Sequence, residues 1–309
     1  HEGYVPNTDF IENAALSIAP FIKKNNIVIL ESTSPVGTTE ILQKILKEAG
    51  VNIHDIHIAY CPERVLPGNI MKELVENDRI IGGIKSESSN KVKKFYETFV
   101  KGDLFTTDSR TAEMVKLTEN SFRDVNIAFA NELSILCDNL DINESELIEL
   151  ANKHPRVNIL NPGPGVGGHC IAVDPWFIIH KDPENSKIIK TARELNLYKT
   201  EWVIQKIISN IKSFEKNNKK PPIISCFGLA FKPDIDDLRE SPAVNITKNL
   251  IDNGFQVLTV EPNIKHSNDF KLVSIDEAIN KSDIFVMLVA HKEFQNLDIE
   301  TDLDFCGVL

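Results

Sequence analysis

The sequence has few cysteines, no long apolar run and fewer basic than acidic residues, and each shortage excludes a class of protein. Five cysteines are spread over 309 residues without a C-x-x-C pair, which argues against a disulfide framework and against a zinc site. Unpaired thiols favour a reducing cytoplasm. The apolar runs are far shorter than the roughly 18–20 residues of a membrane span. No basic segment followed by an apolar one, the mark of a secretory signal, opens the chain.

The acidic excess also limits the partners. With 45 Asp and Glu against 34 Lys and Arg, the formal net charge is -11 and the pI about 5.3. This charge disfavours nonspecific binding to nucleic acid or to an anionic membrane surface, so we expect neither as a partner. A local basic pocket could still bind a small anion. The hydrophobic content of 42% suffices for a large core in two or three domains.

The N-terminal third alternates between strand and helix patterns. Apolar runs at 25–33 and 56–61 are typical of buried parallel strands, and 78–84 and 102–107 predict two shorter ones. A helix with Ser86 as its cap is expected between the last two strands. This order predicts an α/β layer. A dinucleotide fold would open on a strand that runs into G-x-G-x-x-G, and no strand here does so.

The middle of the chain is predicted to be helical. Apolar residues recur at helical spacing over 109–141, and further helices are expected at 143–153 and 186–217. Long apolar faces on these helices suit a homodimer interface. From residue 221 strands and helices alternate again, with Ser241 as a helix cap, which predicts a second βαβ unit.

The glycine-rich segment 161–173, NPGPGVGGHCIAV, is here named the cysteine loop. Converging backbone amides and the positive end of a following helix lower the pKa of a thiol. Cys170 is therefore a candidate nucleophile that could attack a carbonyl carbon, and the same amides could bind the resulting oxyanion. The alternative is a structural cysteine in a turn. A pair between Cys170 and His169 is not expected, because adjacent residues of a helix or strand point apart.

Three polar side chains have a spacing that could place them together with a reacting group. Asp174 follows Cys170 by four residues and would lie on the side of the thiol if the segment were helical. Lys116 and Asn120 are also four apart, on a helix face with apolar neighbours, where they need polar partners. They could stabilise an alkoxide or orient water. The alternatives are a helix cap or surface ion pair for Asp174, and a solvated stripe for the other two.

Further candidates follow predicted strands. Thr33 and Glu63 come after the first two strands, where α/β sheets bind ligands, and Glu63 is a candidate general base. Thr33 could instead be a helix cap, and Glu63 could be paired with Arg64. Lys232 and Arg239 lie in a loop before a helix, an arrangement typical of a phosphate site.

In combination these motifs resemble the UDP-glucose/GDP-mannose dehydrogenase family of nucleotide-sugar 6-dehydrogenases. The matching stretches are ESTSPVGTTE, CPERVLPG, EMVKLTENSFRDVNIAFANELS, GPGVGGHCIAVDPW and GLAFKPDIDDLRESPA, in the order and spacing of the family. The resemblance covers almost the whole chain. The variants are most similar to those of the branch that acts on UDP-N-acetyl-D-mannosamine.

The resemblance implies two Rossmann-like parallel-sheet domains, the first incomplete, joined by a helical dimerisation domain. Residues 1–107 would be the C-terminal part of the NAD-binding domain, 108–213 the central domain with the cysteine loop, and 214–309 the UDP-sugar domain. It further implies NAD as cofactor, no metal, a UDP-sugar substrate and a homodimer. Both ends of the sequence look cut, and the glycine-rich NAD turn is missing. We therefore expect a fragment that is inactive by itself.

The implied reaction is a four-electron, NAD-dependent oxidation of the sugar C6 alcohol to a carboxylate. The resemblance assigns Cys170 as the nucleophile that adds to the intermediate aldehyde and then carries a thioester. Lys116 would stabilise the oxyanion, with Asn120 and Asp174 holding it and the hydrolytic water. Glu63 would act as base in thioester hydrolysis.

The resemblance also assigns ligand contacts. Thr33 would lie near the nicotinamide and the water, and Arg239 near the cofactor pyrophosphate. Arg156 would reach the substrate of a neighbouring subunit. The implied substrate-binding residues are Lys232, Arg156, Asn161 and Gly167.

One position separates branches of the family. UDP-glucose enzymes carry a second glutamate four residues after the first, where this chain has Pro67, as the 2-N-acetyl branch commonly does. This residue disfavours UDP-glucose as the substrate. UDP-GlcNAc and UDP-GalNAc stay open as alternative substrates. Two other classes stay open: a nucleotide-sugar-binding fragment without catalysis, and a two-electron hydroxyacid or phosphogluconate dehydrogenase, which needs no thiol.

Overall fold

Short apolar runs such as IVIL form strands, and the amphipathic segments between them form helices, as the sequence pattern predicts. The computed structural model describes residues 5–65, 69–301 and 303–309. Pro67 therefore lies outside the described residues. The chain divides into two units: residues 1–121 with 174–187, and residues 122–173 with 188–309.

The first unit contains a four-stranded sheet in the order β1-β2-β3-β4. Strands β1 and β2 are parallel, as are β3 and β4, whereas β2 and β3 are antiparallel. Helix α2 covers the sheet with Leu42 and Leu46, which are buried with Leu30 and Ile58 of the strands. The elements are α1 (Asp9–Ile18), β1 (Ile27–Leu30), α2 (Thr38–Glu48), β2 (His57–Tyr60), α3 (Ile70–Glu76), β3 (Arg79–Gly83), α4 (Ser86–Tyr96), β4 (Leu104–Asp108) and, after residue 173, α7 (Asp174–Lys181).

The four predicted strands are confirmed, but three details differ from expectation. The antiparallel step from β2 to β3 makes the sheet mixed, which is common among α/β folds. Helix α3 was not predicted; it has seven residues, none of them buried, and its apolar pairs Ile70/Leu74 and Met71/Val75 extend over only two turns. Ser86 is the first residue of α4 rather than its cap, because the N-cap position is held by Lys85.

Helix α5 (Ser109–Leu140) has 32 residues; it begins in the first unit and continues into the second after Ser121. The second unit adds α6 (Glu144–Ala151) and α8 (Lys187–Asn218). The segment at 186–217, expected to form one or two helices, is one continuous helix. Among the described residues, no helix has the length and apolar character needed to cross a bilayer.

The second sheet is parallel throughout, in the order β6-β5-β7. Its elements are β5 (Ile223–Phe227), α9 (Pro242–Asp252), β6 (Gln256–Val260), α10 (Ile275–Lys281) and β7 (Ile284–Met287). Helix α8 packs Val203, Ile204 and Ile207 into the core beside β5. The predicted cap is confirmed, since the Ser241 side chain accepts a hydrogen bond from the Val244 amide. The carboxyl end of β5 leads into the loop that carries Lys232 and Arg239.

Candidate active site

In the first unit, the carboxyl group of Asp174 contacts helix α5. Asn120 Nδ2 donates a hydrogen bond to Asp174 Oδ2 at 2.5 Å, and both side chains are buried. Burial raises the pKa of Asp174 to about 6, against the opposing effects of the Asn120 hydrogen bond and the charge of Lys116. Asp174 can therefore exchange a proton close to neutral pH. The structure brings together the three residues whose spacing suggested a shared site.

Helix geometry explains this arrangement. Lys116 and Asn120 are one turn apart on α5 and share a face. Asp174 is the first residue of α7, and its acidic side chain suits the positive end of that helix. Because α7 begins only at Asp174, and residues 171–173 form a turn, the argument that Cys170 and Asp174 share a helix does not apply. The turn is closed by a bond from the Val173 amide to the Cys170 carbonyl at 3.0 Å.

Thr33 and Glu63 follow β1 and β2, as expected, and both are half-buried. Oε1 of Glu63 accepts hydrogen bonds from the amides of Arg64 at 2.6 Å and Val65 at 2.9 Å. The ion pair considered between Glu63 and Arg64 is wrong, because the Arg64 guanidinium instead contacts Glu119 of α5 at 2.8 Å. This contact ties the Glu63 loop to the helix that carries Lys116 and Asn120.

A buried carboxylate that sequence reasoning missed closes the start of helix α2. Glu113 of α5 is fully buried and accepts bonds from the amides of Gly37 at 2.6 Å and Thr39 at 2.7 Å. The Thr39 hydroxyl donates to the same carboxylate at 2.6 Å. The amides that could bind a phosphate at a helix start are thus already bound to a protein anion. No local pattern around Glu113 indicates this contact, which depends on tertiary packing.

In the second unit, the cysteine loop carries Cys170 half-buried. The expectation that the glycine amides bind a reacting group needs revision at two positions. The Gly163 amide donates to Asn131 Oδ1 at 2.9 Å, and the Gly168 amide donates to the Arg239 carbonyl at 3.0 Å. Both amides therefore hold the loop in place rather than a ligand. Asn131 is a further residue that sequence reasoning missed.

The loop that follows β5 packs closely on the cysteine loop. A Cβ added at Gly167 would lie 2.6 Å from the Glu240 carbonyl oxygen, and one at Gly168 would lie 2.9 Å from the ring of Phe231. Gly168 also has a φ of +79°, in the left-handed region that side chains disfavour. Glycine is therefore required here for close approach, and Gly167, expected at the substrate, contacts the loop that holds Lys232 and Arg239.

Arg239 has an exposed side chain and an acidic neighbour. Its guanidinium contacts Asp237 at 2.6 Å, and this bond raises the pKa of Arg239, with a further contribution from the charge of Cys170. The positive charge of Arg239 therefore favours the thiolate form of Cys170. The family resemblance assigned Arg239 to the cofactor pyrophosphate and did not predict this interaction. The pKa of Asp237 is lowered mainly by its hydrogen bond with Arg239, and the charge of His169 makes a smaller contribution.

The remaining predicted ligand residues are exposed. Lys232 and Arg156 present exposed side chains, and the Arg156 amide donates to His154 Nδ1 at 3.3 Å. Asn161 lines a cavity of about 360 Å³ together with Pro162, Glu144 and others of the second unit. Nothing in these positions contradicts the expected substrate contacts, which stay predictions.

One group of side chains has a spacing that could suit a metal ion. Ligand atoms of Asp234, His291 and Glu293 lie within 4.8 Å of one another. His291 is already bound within the protein, because its Nδ1 accepts from the Asp234 amide at 3.0 Å and its Nε2 contacts Glu261 at 3.0 Å. These bonds use both ring nitrogens, so the group gives no basis for a metal centre.

Comparison with known proteins supplies the family. Sequence models of the UDP-glucose/GDP-mannose dehydrogenase family match in order: the NAD binding domain at residues 2–100, the central domain at 110–198 and the UDP binding domain at 225–304. UDP-N-acetyl-D-mannosamine dehydrogenase of Campylobacter jejuni is 54% identical over 322 residues, covering 99% of this chain and 78% of that protein.

Two further relatives agree. NDP-N-acetyl-D-galactosaminuronic acid dehydrogenase of Ralstonia solanacearum is 50% identical over 309 residues, covering 96% of this chain and 72% of that protein. The solved structure of UDP-D-ManNAc dehydrogenase from Pyrococcus horikoshii is 39% identical with a TM-score of 0.85, covering 96% of this chain and 70% of that one. The UDP binding domain implies a UDP-sugar substrate.

The match to the NAD binding domain makes NAD the cofactor. Thr33 lies at the carboxyl end of β1, the edge at which open α/β sheets bind dinucleotides, so this edge fits the cofactor. The start of α2 does not supply a phosphate site, because Glu113 occupies its amides. With three domain matches in order and a relative more than half identical, this chain is an NAD-dependent oxidoreductase that belongs to the UDP-glucose/GDP-mannose dehydrogenase family.

Proposed function

We propose that the enzyme formed by this chain oxidises the C6 alcohol of UDP-N-acetyl-D-mannosamine to a carboxylate. The name of the Campylobacter relative supports this substrate, and the UDP binding domain supports the nucleotide. The observation that carries the chemistry is the buried Asp174 carboxyl, bonded to Asn120 and with a pKa of about 6. A titratable group in such a setting is typical of a catalytic site.

The proposed reaction has two oxidations and one hydrolysis. After the first oxidation, the Cys170 thiolate adds to the aldehyde carbon, forming a C–S bond and an oxyanion that the Lys116 ammonium stabilises. After the second oxidation, water attacks the thioester while Glu63 takes its proton, and the thiolate leaves. NAD⁺ accepts both hydrides when bound, so one alcohol and one water yield one carboxylate, two NADH and three protons.

Asp174 is proposed to orient the hydrolytic water, and the second N–H of the Asn120 amide is proposed to donate to the oxyanion. The Asn120 amide fixes one oxygen of the Asp174 carboxylate, which leaves the other to accept from water. Above pH 6 this carboxylate is largely ionised and acts as an acceptor. Arg239, whose charge acts on Cys170, favours the thiolate that the addition step needs.

The test is Cys170→Ala in the protein at its natural length, with UDP-N-acetyl-D-mannosamine as substrate. We expect the unchanged enzyme to form two NADH per sugar, and the variant to lose carboxylate formation, measured by absorbance and by mass spectrometry of the product. Cys306→Ala is the matched control, because Cys306 is also a half-buried cysteine of the second unit but lies outside the cysteine loop. Normal carboxylate formation by Cys170→Ala, or one NADH per sugar, would contradict the thioester route.

A second candidate substrate is UDP-N-acetyl-D-galactosamine, which the name of the 50% identical Ralstonia relative favours. A panel of UDP-ManNAc, UDP-GalNAc, UDP-GlcNAc and UDP-glucose, compared by kcat/KM, separates these sugars. The proposal for the manno sugar requires the highest kcat/KM with UDP-ManNAc.

For the 309 residues alone we propose that UDP binds while NAD⁺ binds too weakly to support turnover. The reason is that none of the strands in these residues runs into the glycine-rich turn G-x-G-x-x-G, at which a dinucleotide pyrophosphate binds. Calorimetric titration with each nucleotide tests this expectation. Tight NAD⁺ binding or full activity of the 309 residues would contradict it.

We also propose a homodimer through the central helices. Four apolar side chains on α5 are between 48% and 67% exposed and recur on one face at spacings of seven, seven and four: Phe122, Phe129, Leu136 and Leu140. A continuous apolar stripe of this kind is typical of an interface. Phe129→Glu is expected to convert the dimer to a monomer in sedimentation, whereas Met71→Glu, at an exposed site on α3, should not. A monomeric unchanged protein would refute this.

We keep the division into residues 1–107, 108–213 and 214–309 as a proposal, supported by the ranges of the three domain matches. The contacts of the backbone divide the chain differently, into two units that share α5. A cytoplasmic location is likewise proposed, and it is supported by five free cysteines. Separate expression of residues 108–213 and 214–309 tests the domain boundaries, which require each segment to unfold cooperatively by itself.

A further inference from the structure

The cysteine loop is held by side chains of the two long central helices. Asn131 of α5 accepts from the Gly163 amide at 2.9 Å, and the hydroxyl of Thr200 on α8 donates to the Pro164 carbonyl at 2.9 Å. Near the other end, Arg193 Nη1 of α8 donates to the Ile171 carbonyl at 3.2 Å. Ile171 directly follows Cys170, so the bond from Arg193 restrains the backbone next to the residue proposed as nucleophile.

Arg193 is an unusual anchor, because it is 1% exposed and its charge is compensated in the interior. The same Nη1 lies 2.9 Å from Asp124 Oδ1, and Asp124 is fully buried. One guanidinium nitrogen thus joins the Asp124 carboxylate to the Ile171 carbonyl. The position of that carbonyl therefore depends on where Asp124 holds the arginine.

The two ends of the cysteine loop are connected through one buried hydrogen-bond network. Asn196 Nδ2 donates to Asp124 Oδ1 at 2.8 Å and to the Asp124 carbonyl at 3.1 Å. Asn131 Nδ2 donates to Asn196 Oδ1 at 2.9 Å. The path therefore runs from the Gly163 amide through Asn131, Asn196, Asp124 and Arg193 to the Ile171 carbonyl. It fixes the loop at both ends from a rigid pair of helices.

Stability alone is a poor explanation for this ion pair. Removing two charges from water costs more than many buried pairs regain, and apolar residues of similar volume often give equal or higher stability. Among the described residues, Asp124 Oδ2 is a buried oxygen without a hydrogen-bond partner. One carboxylate oxygen therefore lacks the hydrogen bond that would offset its burial, whereas the contact of Arg193 with the Ile171 carbonyl has a specific geometric effect.

We propose that Asp124 and Arg193 are positioning residues that orient Cys170 by fixing the Ile171 carbonyl, and this rests on the proposed role of Cys170. Neither residue touches the substrate in this scheme. They act by restricting the backbone beside the thiol, which keeps the sulfur in the field of Arg239. Loosening this restraint should make the thiol less acidic and less well aimed.

The test measures the thiol directly. Cys170 is alkylated with iodoacetamide over pH 5 to 10, and its rate is read by peptide mass spectrometry, which separates it from the other cysteines. The informative variant is the double change Asp124→Leu with Arg193→Met. It removes the bond to the Ile171 carbonyl but leaves no buried charge, and Asn196 retains its bond to the carbonyl of residue 124.

We expect the double variant to unfold at the same or a higher temperature than the unchanged protein. Its alkylation midpoint should nevertheless move up by about one pH unit, which lowers the thiolate fraction at pH 7 about tenfold. In the enzyme at its natural length, kcat should fall at least about tenfold with KM for the UDP-sugar within about twofold, as expected for a lost transition-state interaction. A merely structural pair would leave the alkylation profile unchanged.

Asp138→Asn is the matched control. Asp138 of α5 also pairs across to α8, with Lys206, but this half-exposed pair makes no contact with the cysteine loop among the bonds of the described residues. Its alkylation profile should equal that of the unchanged protein. An unchanged profile in the double variant, or an equal shift in Asp138→Asn, overturns the inference.

Failure of the inference and failure of the proposed function give different results. If Cys170→Ala still forms carboxylate at the normal rate, the thioester route is wrong, whatever the alkylation profiles show. If Cys170→Ala is inactive and the double variant keeps both its alkylation profile and its kcat, the nucleophile stands and the positioning role is wrong.

Discussion

Asp174 in the first unit and Asp124 in the second are both buried aspartates whose pKa is raised to about 6 by burial. Their partners differ. Asp174 accepts a hydrogen bond from the neutral amide of Asn120, and the charge of half-buried Lys116 lowers its pKa against the effect of burial. Asp124 is bonded to the buried guanidinium of Arg193 and to Asn196. The same pKa therefore arises in two different settings.

The difference shows that a raised pKa does not identify a catalytic group by itself. If Asp124 loses its charge, Arg193 is left as an unpaired cation in the interior, which is costly. If Asp174 takes up a proton, Lys116 still reaches solvent, so the change is tolerated. The surroundings of Asp174 therefore tolerate its protonation, whereas protonation of Asp124 leaves its partner unpaired.

The sharpest test of this contrast is Asp174→Asn. We expect kcat to fall about 10²–10³-fold, the range for removing one preorganised polar group from a reacting centre. The free energy of unfolding at pH 8 should be unchanged or higher, because Asn avoids burying a charge and keeps an oxygen for Asn120. NADH formation and urea unfolding measure the two effects. Asp182→Asn, at an exposed site on the same unit, is the control, and equal losses in both variants would refute the assignment.

For Asp124→Asn we expect the larger effect on the free energy of unfolding, whereas for Asp174→Asn it falls on kcat. Stranding Arg193 is expected to lower the free energy of unfolding by about 3–5 kcal/mol, as for other buried pairs with one partner removed. Asp138→Asn, which breaks the half-exposed pair with Lys206 on the same two helices, should cost about 0–1 kcal/mol. Urea unfolding at pH 8 provides both values. A loss below about 1 kcal/mol for Asp124→Asn would show that the pair is more solvated than its burial indicates.

The pH dependence of stability separates Asp174 from other groups. Its pKa is about 6 in the folded protein against an ordinary value of 3.8, so the folded state binds more protons between these values. The stabilisation from protonated Asp174 is therefore complete below pH 3.8 and is lost as pH rises through 6. The difference between the unchanged protein and Asp174→Asn should fall by up to about 1.4 kcal/mol per pH unit in this window. A flat difference would contradict the raised pKa.

The smallest expected effects concern two glycines with similar backbone angles. Gly254→Ala, at φ +84° with open space around it, should cost about 1 kcal/mol for its conformation alone. Gly168→Ala has the added contact with Phe231 and should cost more, with a lower kcat because the cysteine loop shifts. Thermal unfolding of the two variants compares them. Equal costs would mean that Phe231 moves aside freely.

Much of the fold could be predicted from local patterns. The strands at β1, β5 and β6 lie in short apolar runs, and Ser241 caps α9 as its place before Pro242 indicates. Helix α3 was missed, because its apolar pairs Ile70/Leu74 and Met71/Val75 cover only two turns, which is too short for a helical period to be distinguished. Pairing direction was equally hidden, since the apolar pattern of β3 is the same whether it runs parallel or antiparallel to β2.

The candidate site was predicted only in part, because local patterns identify some of its residues and tertiary contacts decide the others. Asn120 and Asp174 were named from spacing and family resemblance, and the structure brings them into contact. Arg193, in contrast, lies in a charged stretch, TARELN, that is typical of an exposed helix face, and it is nearly fully buried. Nothing in the local sequence marks Glu113 and Asp124 either. Thr39, which binds Glu113, is 74 residues away in the sequence, and Asn196, which binds Asp124, is 72 residues away.

The sequence by itself determined which segments become strands and helices and which chemical groups the family motifs carry, because apolar periodicity, caps and motif spacing are local properties. Only the tertiary structure decided which polar groups are buried and with whom. Burial of Glu113, Asp124 and Arg193 depends on how α5 packs on α2 and α8. The cost of an unpaired charge in the interior then selects the partners, and that cost acts across distant segments that no local pattern describes.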